Sequence, residues 1–317
     1  ASLARTGARA AGAWASLARR ERAAGPVDVV VVGYPAQPDM PLGRWVARRR
    51  RVPLVADLMI SLSDTLGGDR GVGGRAGAAV GHRIDRFAAR SADVVMTDTE
   101  ANARWFTRAF GLPPGRAVAV PVGAEPAAFP SAPAPDGPAR ALFVGKLAPL
   151  HGLATVLAAA RRPGTPPLTI VGDGQLRGWL DDELRRDPPA GVTHIPWVPY
   201  HELGDVIARH HIALGVFGAS DKASRVVANK VWQALAVGRP VVTADTPGAR
   251  EVLSDGDDAL LVPVGDPAAL AAALGRLGGD AGLRARLGEG ARATYVREGT
   301  PQAVASRLVA AVEACRR

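Results

Sequence analysis

Residues 141–174, ALFVGKLAPLHGLATVLAAARRPGTPPLTIVGDG, hold two apolar runs of strand length separated by a stretch of helical length. The runs are ALFVG (141–145) and LTIVG (168–172), and this alternation is typical of a parallel sheet covered by helices on both faces. It continues through VTHIP (192–196), IALGVF (212–217), PVVTA (240–244) and ALLVP (259–263). The sequence therefore predicts an α/β protein whose second half contains a complete doubly wound domain.

The first half carries a shorter version of the same pattern. It predicts helices at 1–24, 40–51, 75–91 and 99–110, and strands at 27–32, 53–56, 93–97 and 117–121. We expect Thr99 to cap the last of these helices and Gly111 to end it. These elements make up only part of a doubly wound domain, which we assign to 1–124.

A segment rich in proline and alanine, 125–139, interrupts the alternation and predicts an interdomain linker. The second domain then covers 140–300, with late helices at 266–278 and 280–298, and a terminal helix occupies 301–317. A chain of 317 residues is long enough for two such domains.

The composition excludes several classes of protein. A single cysteine, Cys315, rules out a disulfide framework within the chain and favours a reducing compartment, so we expect a cytoplasmic protein. No apolar run approaches the ~18 residues that span a bilayer. The net charge of +9 fits an anionic partner, but 36 of the 39 basic residues are arginine, and a general excess of arginine on solvated surfaces explains the charge equally well.

Polar and glycine residues follow the predicted strands of the second half, at the edge where ligands bind in open α/β sheets. They are Gly145, Lys146 and His151 after the first strand, Gly172, Asp173 and Gly174 after the second, and Lys222, Arg225, Asn229 and Lys230 after the fourth. All three lysines of the chain thus fall on one edge, and cations gathered there suit a diphosphate. The alternative is that they are ordinary solvated lysines.

Four blocks resemble, in order and spacing, the donor domain of family 4 glycosyltransferases of the GT-B architecture. They are FVGKLAPLHGL, LTIVGDGQLRGWL, HIPWVPYHELGDVIARHHIALGVF and VWQALAVGRPVVTADTPGAREVLSDGDDALLVPVGDPAAL. The similarity covers nearly all of 139–300. In the first half, DVVMTDTEANARWF and AVAVPVGAEPAAF look like the end of the acceptor domain, so the chain resembles a bacterial member of the family truncated at its N-terminus.

The resemblance implies transfer of a sugar from a nucleotide-diphosphate donor with retention of configuration and no obligatory metal or other cofactor. Lys146 and His151 then occupy the places that hold the diphosphate, and Trp197 and Val198 the place where the base packs. Trp197 also fits an ordinary core aromatic. The acceptor is a glycan, a lipid-linked sugar or a small molecule, with Asp57 and Asp64 as candidate catalytic acids.

The chain departs from the family at a pair of glutamates spaced Glu-x7-Glu, which contact the donor sugar and the ribose. Arg225 and Gln233 occupy these two positions. Gln233 can still bond to ribose hydroxyls, whereas Arg225 can only donate hydrogen bonds, for example to phosphate or to an acidic sugar. The alternative function is therefore a truncated or degenerate donor-binding or partner subunit without turnover.

Other functions fit the sequence less well. The stretch GDGQLRG (172–178) lacks the acid that a nicotinamide-binding site needs about 20 residues later, and nucleic-acid binding has only net charge in its favour. We expect no metal site, because 181–183, 255–258 and the His210–His211 pair fit structural roles. Two interpretations remain open for the helix at 1–24: an ordinary domain helix, or a peripheral contact at the inner face of the membrane.

Overall fold

The computed structural model describes residues 3–66 and 74–315. It divides into two compact units, one made of Ala1–Val120 with Arg307–Arg317 and the other of Pro121–Ser306. Within the described residues, no helix is both long enough and apolar enough to cross a membrane.

Unit 1 is a four-stranded parallel sheet in the order β1-β2-β3-β4. Its strands are β1 (Val30–Val32), β2 (Leu54–Asp57), β3 (Val94–Thr97) and β4 (Ala117–Ala119). Its helices are α1 (Leu3–Ala23), α2 (Met40–Arg50), α3 (Leu62–Asp64), α4 (Gly74–Ser91) and α5 (Glu100–Phe110).

Both ends of α5 follow the sequence prediction. The Thr99 side chain accepts a hydrogen bond from the Asn102 N–H at 3.0 Å, which satisfies one of the free donors of the first turn. Gly111 ends the helix in the left-handed region at φ 61°, where a side chain is disfavoured. Phe106 and Phe110 on the inner face of α5 are fully buried in the core of the unit.

Unit 2 is a six-stranded parallel sheet in the order β10-β9-β8-β5-β6-β7. Its strands are β5 (Ala141–Val144), β6 (Leu168–Val171), β7 (Val192–Ile195), β8 (Ile212–Leu214), β9 (Val241–Ala244) and β10 (Ala259–Val262). Its helices are α6 (Leu153–Ala160), α7 (Arg177–Arg186), α8 (Leu203–Ala208), α9 (Asp221–Arg225), α10 (Asn229–Val237), α11 (Pro247–Arg250), α12 (Pro267–Gly279) and α13 (Ala281–Thr294). The last helix, α14 (Pro301–Cys315), begins in unit 2, and its residues from Arg307 onward belong to unit 1. The strand order reverses between β5 and β8, which is the point where doubly wound sheets bind ligands.

The segment 125–139, for which the sequence predicted a linker, packs onto unit 2. Phe129 is fully buried in one of the cores of that unit. The Arg239 guanidinium donates to the carbonyl oxygens of Ala132 and Pro133 at 2.9 and 2.6 Å. The many prolines of the segment disfavour helix and sheet. The segment is held to the unit by the buried Phe129 ring and by the carbonyl oxygens that accept from Arg239.

The stretch 218–236 after β8 differs from the sequence prediction of a strand-end loop followed by one helix. It forms two helices, α9 and α10, because Val226 and Ala228 between them are extended. The backbone at the end of α9 packs closely on α11, where a Cβ at Gly248 would lie 2.7 Å from the carbonyl carbon of Arg225. Arg225 and Lys230 therefore lie on different helices.

Candidate functional site

The candidate site lies at the carboxyl ends of β5 and β8, where the strand order of unit 2 reverses. The loops that follow these two strands touch backbone to backbone. A Cβ at Gly152 would lie 2.5 Å from the carbonyl carbon of Phe217, and one at Gly218 would lie 2.2 Å from the Leu150 oxygen. Glycine is required at both positions, and it draws the two strand-end loops together.

The loops after β5 and β6 are joined in the same way. Gly172 has φ +141°, and a Cβ there would lie 1.9 Å from the Gly145 oxygen. Gly174 has φ +157°, with Leu147 N 2.8 Å from its Cβ position. The His194 Nε2 donates to the Gly172 oxygen at 2.9 Å and so fixes this loop. The Gly-Asp-Gly turn thus has a structural requirement for glycine, which is contact with the neighbouring loop.

Lys230 lies in the first turn of α10 and is 8% exposed. Its Nζ lies 3.7 Å from the centroid of the Phe143 ring and 3.1 Å from the Cβ position of Gly145. Among the described residues it has no hydrogen-bond partner. Burial lowers the pKa of Lys230 well below its usual value. A buried ammonium group whose main contact is an aromatic ring is costly, unless an anion joins it.

His151 also approaches Gly145, with its Cε1 3.8 Å from the same Cβ position. It ends the short 3₁₀ helix Pro149–His151, and its ring meets Phe143 edge-on at 6.0 Å between centroids. Burial, followed by the charges of Lys230 and Lys222, lowers the pKa of His151 to about 2. Its buried Nδ1 has no hydrogen-bond partner in the described part of the chain. A neutral imidazole here can donate one hydrogen bond to a phosphate oxygen.

Apart from Arg225, the other cationic and amide residues that the sequence predicted for the site are more exposed than Lys230. Lys146 is exposed and directly follows Gly145, while Asn229 is exposed at the start of α10. Lys222 on α9 and Gln233 on α10 are half-buried. The structure thus gathers Lys230, His151 and Gly145, with the charge of Lys222 acting on the same histidine.

Arg225 is 4% exposed, and its Nη1 donates to the Asp221 carboxylate one turn earlier on α9. The guanidinium is therefore held by its own helix. Sequence spacing placed Asp221 and Asn229 eight residues apart, but only the structure shows that Asp221 serves as the partner of Arg225.

Trp197 is 73% exposed, which excludes its interpretation as a core aromatic. It follows β7, and the next residue, Val198, packs partly into a core of unit 2. Asp173 is exposed and its Oδ1 accepts the Gly174 N–H at 2.7 Å. An indole with a free face beside strand-end loops can stack on a nucleobase.

In unit 1, Asp57 ends β2 and its Oδ1 accepts the Met59 N–H at 3.3 Å. Burial raises the pKa of Asp57 above its usual value. Asp64 lies half-buried in α3, and its N–H bonds to the Ser61 hydroxyl at 3.1 Å. Asp57 therefore lies at the carboxyl end of β2, and Asp64 lies in the chain that follows it.

Sequence reasoning missed Asp85, which holds this part of unit 1 in place. It is fully buried on α4 and accepts hydrogen bonds from Ser61 Oγ, Leu62 N and Ser63 N at 2.8 to 3.0 Å. Gln37 Nε2 also donates to it at 3.2 Å. An aspartate among the small residues on the inner face of α4 was the signal that could have found it.

The histidines considered as metal ligands have structural partners. His210 bonds to the Val206 oxygen and to Thr169 Oγ1 at 2.7 and 3.0 Å. His211 Nδ1 accepts the Arg140 N–H at 3.2 Å. Within residues 3–66 and 74–315, no group of three or more His, Cys, Asp or Glu side chains is placed to hold a metal ion.

Comparisons with known proteins show the family of the chain. The family model described as "Glycosyl transferases group 1" matches residues 138–280, and the one described as "Glycosyl transferase 4-like domain" matches residues 2–123. The D-inositol 3-phosphate glycosyltransferase of Acidothermus cellulolyticus is 32% identical over 242 residues, which cover 65% of this chain and 50% of that protein. The phosphatidyl-myo-inositol mannosyltransferase of Mycolicibacterium smegmatis is 35% identical over 196 residues, covering 54% and 44%. The chain spans about half the length of these curated relatives.

Solved structures share the fold. Anabaena Alr3699/HepE in complex with UDP and glucose matches with a TM-score of 0.72 and 17% identity, covering 94% of this chain and 80% of that one. The lipopolysaccharide outer core galactosyltransferase WaaB matches with a TM-score of 0.66 and 16% identity, covering 98% and 81%. With two family models that together span most of its length and two parallel-sheet units of the GT-B kind, the chain belongs to the group 1 glycosyltransferases.

Proposed function

We propose that this chain transfers a sugar from a nucleotide-diphosphate donor to an acceptor hydroxyl, and that the diphosphate binds beside Gly145. The observation that carries the proposal is the Lys230 ammonium group, which is buried at the carboxyl edge of the sheet without a hydrogen-bond partner among the described residues. A diphosphate supplies the counter-charge that this group lacks, and its oxygens accept the hydrogen bond that neutral His151 can donate.

The same contacts assist the chemistry. When the bond between the sugar C1 and the diphosphate oxygen breaks, its electron pair moves to the diphosphate. A fixed cation beside that oxygen stabilises the developing charge. The acceptor oxygen forms the new bond to C1, and its proton leaves to a base, for which a diphosphate oxygen is suited. We expect retention of configuration and no requirement for a metal, since the cations of the chain offset the diphosphate charge.

The base and the ribose of the donor have candidate partners on the same edge of the sheet, after β7 and on α10. The exposed ring of Trp197 offers a stacking surface for the base, and Gln233 offers its amide to the ribose hydroxyls. Anabaena Alr3699/HepE was solved with UDP and glucose, which supports a nucleotide-sugar donor. Two relatives are named for inositol-containing compounds, which supports a polyol hydroxyl as the acceptor, free, lipid-linked or within a glycan. We place the reaction in the cytoplasm.

Arg225 favours a second candidate function. A buried guanidinium bound to Asp221 stands where the family has a glutamate that contacts the donor sugar. Because arginine accepts no hydrogen bond from a sugar hydroxyl, the site could bind a nucleotide diphosphate without turning it over. The chain would then act as a donor-binding subunit.

The test is calorimetric titration of the chain with UDP, GDP and ADP, together with the Lys230→Met variant. We expect binding that selects one base, weakened by about 10- to 100-fold in Lys230→Met through loss of a charge-assisted hydrogen bond. The matched control is Arg185→Met, which removes an exposed cation from α7 and leaves the affinity unchanged.

Four results decide between the possibilities. No binding of any of the three nucleotides by a folded chain rejects the donor site, and binding that Lys230→Met leaves intact rejects the role of Lys230. Release of labelled sugar from the matching donor, to water or to a polyol, supports transfer. Tight binding without release supports the donor-binding subunit.

A further inference from the structure

A second group of cations lines a cavity of about 370 Å³ in unit 1, far from the carboxyl ends of its strands. The cavity lies at the amino ends of β2, β3 and β4, beside Leu54, Asp93 and the residue before Ala117. Five arginines line it, and we call them the arginine pocket: Arg44, Arg48, Arg51, Arg90 and Arg116. They come from α2 and its C-terminal end, from α4, and from the loop that enters β4.

The arginines of α2 lie on two sides of the helix, and only those on one side lie near an acidic side chain. Arg50 binds Glu21 at 2.5 Å, and Arg49 lies 4.0 Å from the same carboxylate. Arg44 and Arg48, one turn apart, line the pocket instead. Among the described residues, none of the five pocket arginines has a carboxylate within 4.0 Å, so this side of the helix carries charge without counter-charge.

The hydrogen bonds of the pocket leave most of its donors available. Arg44 Nη1 donates to Ser91 Oγ at 3.1 Å, and Arg90 donates through Nε to the Phe110 oxygen at 2.9 Å. The one carboxylate of the lining, Asp93, accepts the Leu54 N–H at 2.9 Å and so joins β2 to β3. Arg90 also donates through Nη2 to the Gly111 oxygen at 3.4 Å. The lining therefore holds five arginines and one carboxylate, and that carboxylate already has a structural partner.

The backbone conformation of Arg51 is a second observation in favour of a site, because this arginine is placed at the cavity at a cost in conformational energy. It ends α2 in the left-handed region at φ 58°, and its N–H bonds to the carbonyl oxygens of Ala47 and Arg48. Glycine is the usual residue at such a position, because a side chain costs about 1 kcal/mol there. The chain instead has Arg51 at this position, and Arg51 lines the cavity.

We propose that the arginine pocket binds a compact phosphate-bearing anion at a site separate from the donor site. Guanidinium groups bind phosphate oxygens in pairs of parallel hydrogen bonds, and several of them around one cavity match a group with two or more negative charges. The cavity has the size of a small-molecule site. Its lining holds no aromatic residue on which a base could stack, which argues against nucleic acid. The phosphate comes either from a soluble phosphorylated molecule or from the headgroup of an anionic lipid.

The experiment compares the wild-type chain with an Arg48→Gln/Arg51→Gln/Arg116→Gln variant. The charge-matched control is Arg162→Gln/Arg185→Gln/Arg186→Gln, which removes three exposed cations from unit 2. Inorganic pyrophosphate is titrated by calorimetry into each chain and into Lys230→Met, which lacks a donor-site cation but keeps the pocket. Vesicles of phosphatidylcholine with about 30 mol% phosphatidylglycerol are tested by co-flotation.

We expect the pocket variant to bind the probe about tenfold or more weakly than the wild-type chain. The control variant and Lys230→Met should bind pyrophosphate in the pocket with the wild-type affinity. Pyrophosphate binding lost only in the pocket variant identifies a soluble ligand. Vesicle binding lost only in the pocket variant, without pyrophosphate binding, identifies a lipid headgroup. The proposal is overturned if neither probe binds, or if the control variant loses binding as much as the pocket variant does, since the attraction is then only net charge. Hydrogen exchange in β1 to β4 that matches the wild type shows that unit 1 of the pocket variant is folded.

Discussion

At the level of one residue, the proposed role of Lys230 opposes the stability of the unliganded fold. Its ammonium group is buried against the Phe143 ring, and burial lowers its pKa, so the unliganded fold carries the cost of a desolvated cation or of its deprotonation. Methionine fills nearly the same volume without that cost.

We therefore predict that Lys230→Met stabilises the unliganded chain while it weakens nucleotide binding. The expected gain is about 1 kcal/mol or more in the free energy of unfolding, equivalent to about 2–4 °C in Tm. Thermal unfolding measures it, with Lys146→Met as the control, because Lys146 is exposed and its replacement should leave Tm unchanged. A lower Tm for Lys230→Met would mean that the ammonium group has a stabilising partner.

His151 gives the fold a dependence on pH. Its folded-state pKa of about 2 lies below the usual 6.5, so below pH 6.5 the unfolded chain binds a proton that the folded chain does not accept. The stability contributed by neutral His151 is therefore fully present above pH 6.5 and is lost as the pH falls towards 2.

We predict that His151→Gln flattens this acid sensitivity. Between pH 6 and about pH 4, the wild-type chain should lose up to about 1.4 kcal/mol per pH unit more than the variant. Urea unfolding at a series of pH values measures the two slopes. His201→Gln is the control, since that side chain is 82% exposed and its replacement should keep the wild-type slope. Equal slopes for wild type and His151→Gln would show that the imidazole is protonated in the folded chain.

At the scale of elements, the strand-end loops depend on glycines that touch neighbouring backbone. Gly172 adopts φ +141° and leaves no room for a Cβ beside the Gly145 oxygen. Gly178, six residues later in the first turn of α7, has open space around its Cβ position.

The two glycines should respond to alanine in opposite directions. Gly172→Ala should destabilise unit 2 by at least about 2 kcal/mol, because the loops after β5 and β6 must separate. Gly178→Ala should stabilise it by about 0.5–1 kcal/mol, because alanine restricts the unfolded chain and favours helix. Urea unfolding measures both, and a harmless Gly172→Ala would show that these loops are not packed as described.

The split of the segment after β8 into α9 and α10 is also decided between elements. Its sequence is compatible with a continuous helix, but the end of α9 packs on α11 around Gly248. This contact turns the chain at Val226, and it lets α10 begin with Asn229 and Lys230 at the sheet edge.

At the scale of the whole molecule, the last helix completes unit 1. Residues 307–315 of α14 belong to that unit, where Val312 packs into a small core with Val55 and Val94. The side chain of Val309, one turn earlier, is 54% exposed.

Val312→Ala should therefore destabilise unit 1 by about 1–2 kcal/mol. Hydrogen exchange followed by mass spectrometry should show faster exchange in β2 and β3, and unchanged exchange in β5 to β10. Val309→Ala should leave all of these strands unchanged. If both variants exchange like the wild type, α14 contributes nothing to the core of unit 1.

The sequence by itself determined the alternation of strands and helices, the cap of α5 at Thr99 and its end at Gly111, and it predicted the sheet edge at which we propose that a ligand binds. These depend on periodicity and on local backbone preferences, which neighbouring residues set. In the part of the chain that the structure describes, the ten strands lie within the runs that the pattern predicted or overlap them by most of their length.

Only the tertiary structure decided which side chains meet at that edge, and which of them are buried or neutral. Lys230, His151 and Gly145 lie on segments up to 85 positions apart, so no local pattern could show that the ammonium group is buried beside a neutral imidazole. The exposure of Trp197, the packing of 125–139 and the arginine pocket likewise depend on elements distant in sequence. Burial and charge pairing are properties of the packed chain, and for this protein they distinguish the groups available to a ligand from those that support the fold.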